Sequence, residues 1–296
     1  MLADLERKER VVISCVTFET VRVTDPIRTY EATRAHLIRY VSNRSDSDTY
    51  VRFYEKVKDT IGKEGQGKVE VFEHHGKVSD FTNMLRLVLK IIQEEKQRCC
   101  GHCDIYVNIS AGTPEYSAAA AVASMMEDGV YSFSVNAGKD GFTVPGEAFF
   151  IDGEPVGMIK TTRTPVKLPR HPIDIPEKRL VCALRILHDM SFEEKLSGKI
   201  RIKKVTAPEM VKELIGKGLW MRRTEYFDEP NDRISELQKR SDAVTYQRDF
   251  IDKWKEKGWI EIMDYPKRYV VSELGKTILS TFYVPDDWEP MNVELK

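Results

Sequence analysis

The sequence of 296 residues contains no apolar run approaching the roughly 18 residues that a membrane span requires. Its N-terminal segment, MLADLERKERVVISCV, has neither a long apolar core nor a small-residue cleavage site, so a secretory signal is not expected. These two absences predict a cytoplasmic protein with no membrane partner.

The familiar phosphate-binding fingerprints are also missing. The chain contains neither a GxGxxG dinucleotide motif nor a GxxxxGK[ST] phosphate loop. A nicotinamide-dependent enzyme and a P-loop ATPase are therefore disfavoured, and no cofactor is expected.

Cysteine is sparse, with five residues in the chain. An odd number without an export signal predicts reduced thiols. Cys99, Cys100, His102 and Cys103 form a cluster with zinc-binding side chains, but no second pair with CxxC or HxxxH spacing follows. The cluster is therefore interpreted as ordinary residues at an element boundary, and no metal site is predicted.

The formal net charge of −1 excludes a protein coated with basic residues. From Lys195 to Lys204, however, five basic residues occur with no acidic one. Contact with nucleic acid is therefore expected to be local.

The first half of the chain alternates apolar strands with helical segments. Strands are predicted at residues 11–16, 35–41, 68–72, 105–109 and 130–135, and helices at 47–61, at 79–97 with Ser79 as N-cap, and in the Ala-rich segment after Pro114. A long loop is expected between the first two strands. Apolar strands separated by helices predict a Rossmann-like α/β sandwich with a parallel sheet.

Two strand ends carry small and polar residues. Thr17 to Thr20 follow the first strand, and Asn108 to Thr113 follow the fourth. In parallel sheets, ligands bind at the carboxyl ends of strands, and a helix N-terminus there attracts anions. The alternative is that Gly112 only makes the turn, with Thr113 as N-cap and Pro114 at the first helical position.

Histidine contributes little to either strand end. His74 and His75 follow the third strand, and because adjacent residues face different directions, they are interpreted as surface residues. No paired His, Lys or Tyr is found to assist proton transfer, so enzyme activity is possible but not favoured.

Residues 139–170 have short strand-like pieces that predict a β-hairpin closing the first domain. The prolines that follow indicate a semi-rigid linker, at Pro165, Pro169, Pro172 and Pro176. The predicted domains are 1–172 and 173–296.

The second domain has the element order of a winged helix. The last long helix, residues 241–257, is predicted to bury Val244, Phe250, Ile251 and Trp254. Candidate DNA-binding residues are Arg240, Ser241, Thr245 and Arg248 on the outer face, and Lys267 and Arg268 at the wing. A protein-interaction winged helix is the alternative, since Asp242, Asp249 and Asp252 lie on the same helix.

Taken with the motifs TFET and NISAGT, this architecture resembles the CARF-domain (CRISPR-associated Rossmann fold) winged-helix transcriptional regulators of prokaryotes. In that family the two strand-end loops bind cyclic oligoadenylates across the two-fold axis of a homodimer. The resemblance therefore implies the following ligand-binding residues: Thr17, Phe18, Glu19, Thr20, Asn108, Ser110, Ala111, Gly112 and Thr113. This chain departs from the family at Pro114 and Glu115, where many members have Arg or Lys.

The resulting hypothesis is a homodimeric, ligand-responsive DNA-binding regulator that senses a cyclic oligoadenylate, such as cyclic tetra-adenylate, or a related nucleotide. Two alternatives remain. One is a ring nuclease that cleaves cyclic oligoadenylate, and the other is a protein-interaction module without a ligand.

Overall fold

The computed structural model describes residues 8–40, 47–64, 68–139, 141–142, 149–194, 200–221, 236–264 and 267–282. The chain divides into two compact units, Met1–Ile175 and Pro176–Lys296. Within the described ranges, no helix is long and apolar enough to cross a membrane.

Unit 1 is built on a six-stranded, mostly parallel sheet, as the apolar runs predicted. The five parallel strands are β1 (Glu9–Val16), β2 (Arg34–Tyr40), β3 (Glu70–Gly76), β4 (Cys103–Asn108) and β5 (Val130–Ser134). They lie in the order β3-β2-β1-β4-β5, and the short antiparallel strand β8 (Val166–Lys167) pairs with β5. The Rossmann-like α/β prediction is therefore confirmed at the level of the sheet.

Four helices connect the parallel strands. They are α1 (Val21–Thr29), α2 (Ser47–Glu64), α3 (Phe81–Arg98) and α4 (Pro114–Met126). Strands β6 (Phe149–Ile151) and β7 (Glu154–Gly157) form a separate hairpin. The central strand β1 is fully covered from Val11 to Val16, because a parallel sheet with helices on both faces buries its middle strands.

Two local predictions in unit 1 are wrong. The loop expected after β1 contains α1, which the apolar pattern obscured because Pro26 lies inside the helix. The N-cap of α3 is Asp80 and not Ser79, since the Asp80 carboxylate accepts from the backbone N–H of Asn83 at 3.0 Å.

Unit 2 alternates helices with short antiparallel hairpins. Helix α5 (Lys178–Met190) precedes the hairpin of β9 (Phe192–Glu194) and β10 (Ile200–Ile202), and α6 (Ala207–Gly216) follows. The remaining elements are α7 (Glu236–Tyr246), a π-helical turn (Gln247–Ile251), α8 (Asp252–Glu256), the hairpin of β11 (Ile260–Asp264) and β12 (Lys267–Val271), and α9 (Glu273–Phe282). Trp254 lies fully buried in the core of this unit, and its indole N–H donates to the carbonyl of Leu180 at 3.1 Å.

The π-helical turn changes which residues of the long helix face the core. Phe250, Ile251 and Trp254 are buried as predicted, but Val244 is 67% exposed and Thr245 is 5% exposed. A π turn holds more residues than an α turn, so every residue before it is rotated relative to a regular helical pattern. The predictions that Val244 is buried and that Thr245 faces outward are therefore wrong.

Candidate anion-binding site at the strand ends

The strand order places the candidate site between β1 and β4. The chain fills the sheet from β1 through β2 to β3 and then crosses back to β4, on the other side of β1. This reversal creates a crevice outside the carboxyl ends of β1 and β4, where parallel α/β sheets bind ligands. The loops at Thr17–Thr20 and at 109–113 therefore leave the sheet side by side.

The second loop leads directly into α4. Thr113 is the N-cap, because its hydroxyl accepts from the backbone N–H of Tyr116 at 3.2 Å, and Pro114 follows within the first turn. Gly112 has a φ of +111°, and a Cβ there would lie 2.7 Å from Cδ1 of Tyr116 and 2.9 Å from Cβ of Cys15. The turn therefore needs glycine for both its conformation and its close packing.

Three polar side chains of this loop form hydrogen bonds with other parts of unit 1 or within the loop. The Asn108 amide donates to the carbonyl of Arg22 at 2.8 Å and accepts from the backbone N–H of Ser110 at 2.9 Å. The Ser110 hydroxyl accepts from the backbone N–H of Val135, and the Thr113 hydroxyl donates to the carbonyl of Val78 at 2.5 Å. These side chains hold the loop in place.

Two backbone N–H groups of the same loop belong to half-buried residues, Gly112 and Thr113, whereas Ala111 is buried. Among the hydrogen bonds of the described part of the chain, none uses the backbone N–H of Ala111, Gly112 or Thr113 as a donor. These groups precede α4, whose N-terminus carries a partial positive charge. The exposed Glu115 adds a negative charge in the first turn of that helix. The loop can therefore bind an anion through its backbone, against some opposition from Glu115.

The first loop is largely covered by the β6–β7 hairpin. The Thr20 hydroxyl donates to the carbonyl of Val156 at 2.6 Å, and Glu19 forms a β-bridge with Gly157. The ring of Phe18 stacks on Tyr50 with centroids 4.4 Å apart, whereas Thr17 is half-buried. Glu19 and Thr20 are thus turned to the hairpin, and only part of this loop borders solvent.

Glu19 is an unusual carboxyl group. It is 5% exposed, its Oε1 atom accepts from the Arg22 guanidinium at 3.0 Å, and the backbone N–H groups of Ile159 and Met158 also favour its charged form. Burial raises its pKa to about 7, although the charge of Arg22 acts in the opposite direction. A carboxyl group of this kind can gain or lose a proton near neutral pH.

A second polar cluster lies between α3 and strands β2 and β3. His36 Nε2 is 3.0 Å from Glu95 Oε1, and His36 Nδ1 is 2.8 Å from His74 Nε2. The guanidinium of Arg34 donates to Glu95 Oε2 at 2.7 Å. Glu95 is 1% exposed, and its hydrogen bonds and ion pairs with His36 and Arg34 lower its pKa despite burial.

The interpretation of His74 as a surface residue is therefore wrong. His74 is half-buried, and burial lowers its pKa to about 4. The available signal was a histidine within the apolar strand RAHLIRY, aligned in register with the strand that carries His74. His75, in contrast, is exposed, and its Nε2 lies 3.4 Å from Glu73.

The cysteine cluster also differs from its predicted state. Cys99, at the end of α3, forms a disulfide with Cys103, at the start of β4, with a Cα–Cα distance of 5.9 Å. Cys100 is exposed, while Cys15 and Cys182 are buried and take no part in the disulfide. The prediction of reduced thiols throughout is wrong because the turn at Cys100 and Gly101 brings the two flanking cysteines together. No group of three or more metal-binding side chains is found within the described ranges.

The candidate DNA-binding residues have different environments. Arg240 and Ser241 are exposed, whereas Thr245 donates to the carbonyl of Ser241 at 3.0 Å from its buried position. The exposed Arg248 donates to the Asp249 carboxylate at 2.7 Å, and Arg268 donates to the carbonyl of Ile202 at 3.0 Å. The candidate wing residue Lys267 begins β12, but its side chain lies outside the described part of the structure, as do the wing tip at 265–266 and the basic residues at 195–199.

Comparison with known proteins gives one family and several distant structures. A family model described as HFX_2341_N:-like, N-terminal matches residues 10–140, which are less than half of the chain. None of the curated proteins compared with the chain matches it.

Two solved structures are among those similar to the chain. Csm6 from Enterococcus italicus, bound to cyclic hexa-2'-fluoro-hexa-dAMP, is 16% identical with a TM-score of 0.36, over 44% of this chain and 34% of Csm6. Can2 from Sulfobacillus thermosulfidooxidans, in complex with cyclic tetra-adenylate, is 10% identical with a TM-score of 0.32, over 92% of this chain and 64% of Can2. The chain thus spans less than two thirds of either protein, and similarity at this level assigns no activity to it.

Proposed function

We propose that unit 1 is a sensor for a nucleotide-type anion that binds in the crevice between β1 and β4. The observation that carries this proposal is the pair of backbone N–H groups at Gly112 and Thr113, which donate to no acceptor in the described part of the chain and lie at the N-terminus of α4. Backbone N–H groups at a helix N-terminus bind phosphate groups in many proteins. The resemblance of TFET and NISAGT to the CARF-domain regulators makes a cyclic oligoadenylate the first candidate.

The charges near this loop favour a ligand with a low charge density. Arg22 supplies a positive charge at the start of α1, but it is already paired with Glu19. Glu115 is exposed in the first turn of α4 and opposes any phosphate that approaches the N–H groups. A phosphodiester, with one negative charge per phosphate, is therefore a better ligand than a phosphomonoester.

The ligand is tested by titration calorimetry of the full chain with cyclic tetra-adenylate and cyclic hexa-adenylate. Glu115→Lys should tighten binding about three- to tenfold at low salt, because it replaces a repulsive charge by an attractive one. Glu94→Lys is the matched control, since Glu94 lies near the far end of α3, away from the strand ends. If Glu115→Lys binds the two ligands with unchanged affinity, the ligand does not bind next to the first turn of α4.

We propose further that unit 2 is a winged helix that binds DNA, and that the regulator acts as a homodimer. Its support is the order of elements, in which α7, the π-helical turn and α8 are followed by the β11–β12 hairpin. Arg240, Ser241 and Arg248 are exposed on the helical segment. Thr245 is no longer a candidate for base contact because it is buried.

DNA binding is tested by measuring affinity for duplex DNA as a function of salt. Arg240→Gln should weaken binding and lower the slope of log K against log salt by about one, if Arg240 contacts a phosphate. Lys276→Gln on α9, where Lys276 pairs with Glu273, is the control. A salt-independent affinity would instead favour a protein-interaction module. Light scattering of the purified protein tests the homodimer.

A further inference from the structure

We propose that Cys99, Cys100 and Cys103 form a redox site, in which the Cys99–Cys103 disulfide opens and closes by exchange with low-molecular-weight thiols that enter at Cys100. The disulfide joins the end of α3 to the start of β4. Cys99 is half-buried and Cys103 is 7% exposed, whereas Cys100, which lies between them, is exposed. An exposed thiol is therefore adjacent in sequence to a partly shielded disulfide.

The spacing of the three cysteines fits an exchange within one turn. Cys100 and Cys103 have the Cys-x-x-Cys spacing that is typical of thiol pairs that exchange disulfides. Cys100 and Gly101 have φ angles of +49° and +78°, and this tight turn brings the Cα atoms of Cys99 and Cys103 to 5.9 Å, as a disulfide requires. Because Cys100 belongs to the same turn, its attack on the disulfide is intramolecular and is favoured over attack by a thiol from solution.

The proposed exchange balances atoms and electrons at each step. In oxidation, the Cys100 thiolate attacks a low-molecular-weight disulfide such as oxidised glutathione, which forms a mixed disulfide and releases one molecule of the thiol. The Cys103 thiolate then attacks the Cys100 sulfur, which forms Cys100–Cys103 and releases the second molecule of the thiol. Finally, the Cys99 thiolate attacks the Cys103 sulfur, which forms Cys99–Cys103 and returns Cys100 as a thiolate. In sum, Cys99 and Cys103 lose two electrons and two protons to the disulfide from solution, and reduction follows the same steps in reverse.

Backbone hydrogen bonds hold this turn independently of the disulfide. Three of its N–H groups donate to backbone carbonyls: Cys99 to Glu95 at 3.0 Å, Gly101 to Lys96 at 2.9 Å and His102 to Cys99 at 2.8 Å. The disulfide joins residues only four positions apart, and the stabilisation that a cross-link provides increases with the length of the loop that it closes. We therefore expect unit 1 to keep its fold when the disulfide opens, as a reversible redox site requires.

The test follows the thiols of the full chain by alkylation and mass spectrometry in glutathione buffers without denaturant. Oxidised glutathione should form Cys99–Cys103, and reduced glutathione should open it with an unchanged circular dichroism spectrum and a decrease in melting temperature of less than about 8 °C. Cys100→Ser should slow both reactions at least about tenfold, because glutathione must then react directly with the partly shielded pair. Peptide mapping of the unchanged protein should detect a mixed disulfide between Cys100 and glutathione.

Cys182→Ala is the control for the loss of a cysteine, because Cys182 is buried in the core of unit 2 and takes no part in the disulfide. Its rates of oxidation and reduction should lie within about twofold of those of the unchanged protein. Equal rates in Cys100→Ser and the unchanged protein would overturn the role of Cys100. If Cys99–Cys103 does not form at any ratio of oxidised to reduced glutathione, or if its reduction unfolds unit 1, the three cysteines are not a reversible redox site.

Discussion

The side-chain amide of Asn108 donates to the backbone carbonyl of Arg22 at 2.8 Å, and this carbonyl lacks its usual helical donor. The residue four positions later in α1 is Pro26, which has no backbone N–H. Asn108 thus supplies the hydrogen bond that the proline removes. In doing so it joins the end of β4 to the first turn of α1, across the crevice between the two strand-end loops.

A double-mutant cycle of Asn108→Ala and Pro26→Ala tests this relationship. Asn108→Ala alone should lower the free energy of unfolding by about 2 kcal/mol, because the Arg22 carbonyl and the Ser110 N–H both lose their partner. In the Pro26→Ala background the loss should be smaller by about 0.5–1 kcal/mol, since the substituted alanine restores the helical N–H. Urea unfolding of the four proteins gives the coupling energy between the two substitutions. If their effects on the free energy of unfolding simply add, Asn108 does not replace the hydrogen bond that Pro26 removes.

The turn before α4 is expected to tolerate no side chain at Gly112. Gly112→Ala should destabilise unit 1 by about 3 kcal/mol, because a Cβ would combine a φ of +111° with contacts below 3.0 Å to Tyr116 and Cys15. Gly129→Ala is the matched control, since Gly129 has a φ of +75° with no atom within 4 Å of the added Cβ. It should cost only about 1 kcal/mol. Equal losses in thermal or urea unfolding would show that close packing at Gly112 has no effect.

The stability of unit 1 should fall as pH rises through neutrality, because of Glu19. Its pKa of about 7 in the folded protein lies above the value of 4.5 expected in the unfolded chain, so the folded protein binds more protons between these values. Stability therefore decreases with rising pH, by an amount on the order of 2–3 kcal/mol between about pH 4.5 and pH 8. Glu19→Gln should flatten this dependence in urea unfolding. If the free energy of unfolding depends on pH equally in Glu19→Gln and in the unchanged protein, groups other than Glu19 cause the dependence.

The rotation caused by the π-helical turn predicts opposite results for two adjacent residues. Val244→Lys should change the free energy of unfolding by less than about 0.5 kcal/mol, because Val244 is 67% exposed. Thr245→Lys should cost several kcal/mol, on the order of 3, because it would bury a charge. Circular dichroism during urea unfolding of the two variants decides the matter. A larger loss of stability in Val244→Lys than in Thr245→Lys would contradict the rotation and agree with a regular α-helix.

The parallel sheet was accessible from the sequence because its strands are uninterrupted apolar runs, such as VVISCV, and the residues between most of them repeat at helical spacing. The start of α4 was predicted from two adjacent residues, because Thr113 is a favourable N-cap and Pro114 is favourable in the first helical turn. In contrast, α1 was missed because it contains Pro26, and the hydrogen bond that this proline removes is replaced by Asn108, a residue distant in sequence. Such compensation by tertiary contacts has no local signal.

The candidate site shows the same limit. The loop from Asn108 to Thr113 was found from its position after a strand, but the covering of Glu19 and Thr20 by β7 depends on a hairpin more than 130 residues later. The contact between His36 and His74 likewise requires the register of two strands. Sequence spacing identified which residues lie at the strand ends, and only the fold determined which of their groups remain open to a ligand.

The two edges of the sheet differ in a way that affects association between copies of the chain. The short strand β8 pairs along β5, whereas the opposite edge is β3, whose exposed residues include Glu70, Glu73 and His75. Charged side chains on an edge strand oppose the addition of a strand from another molecule. Two copies of unit 1 are therefore not expected to join their sheets into one through the β3 edge.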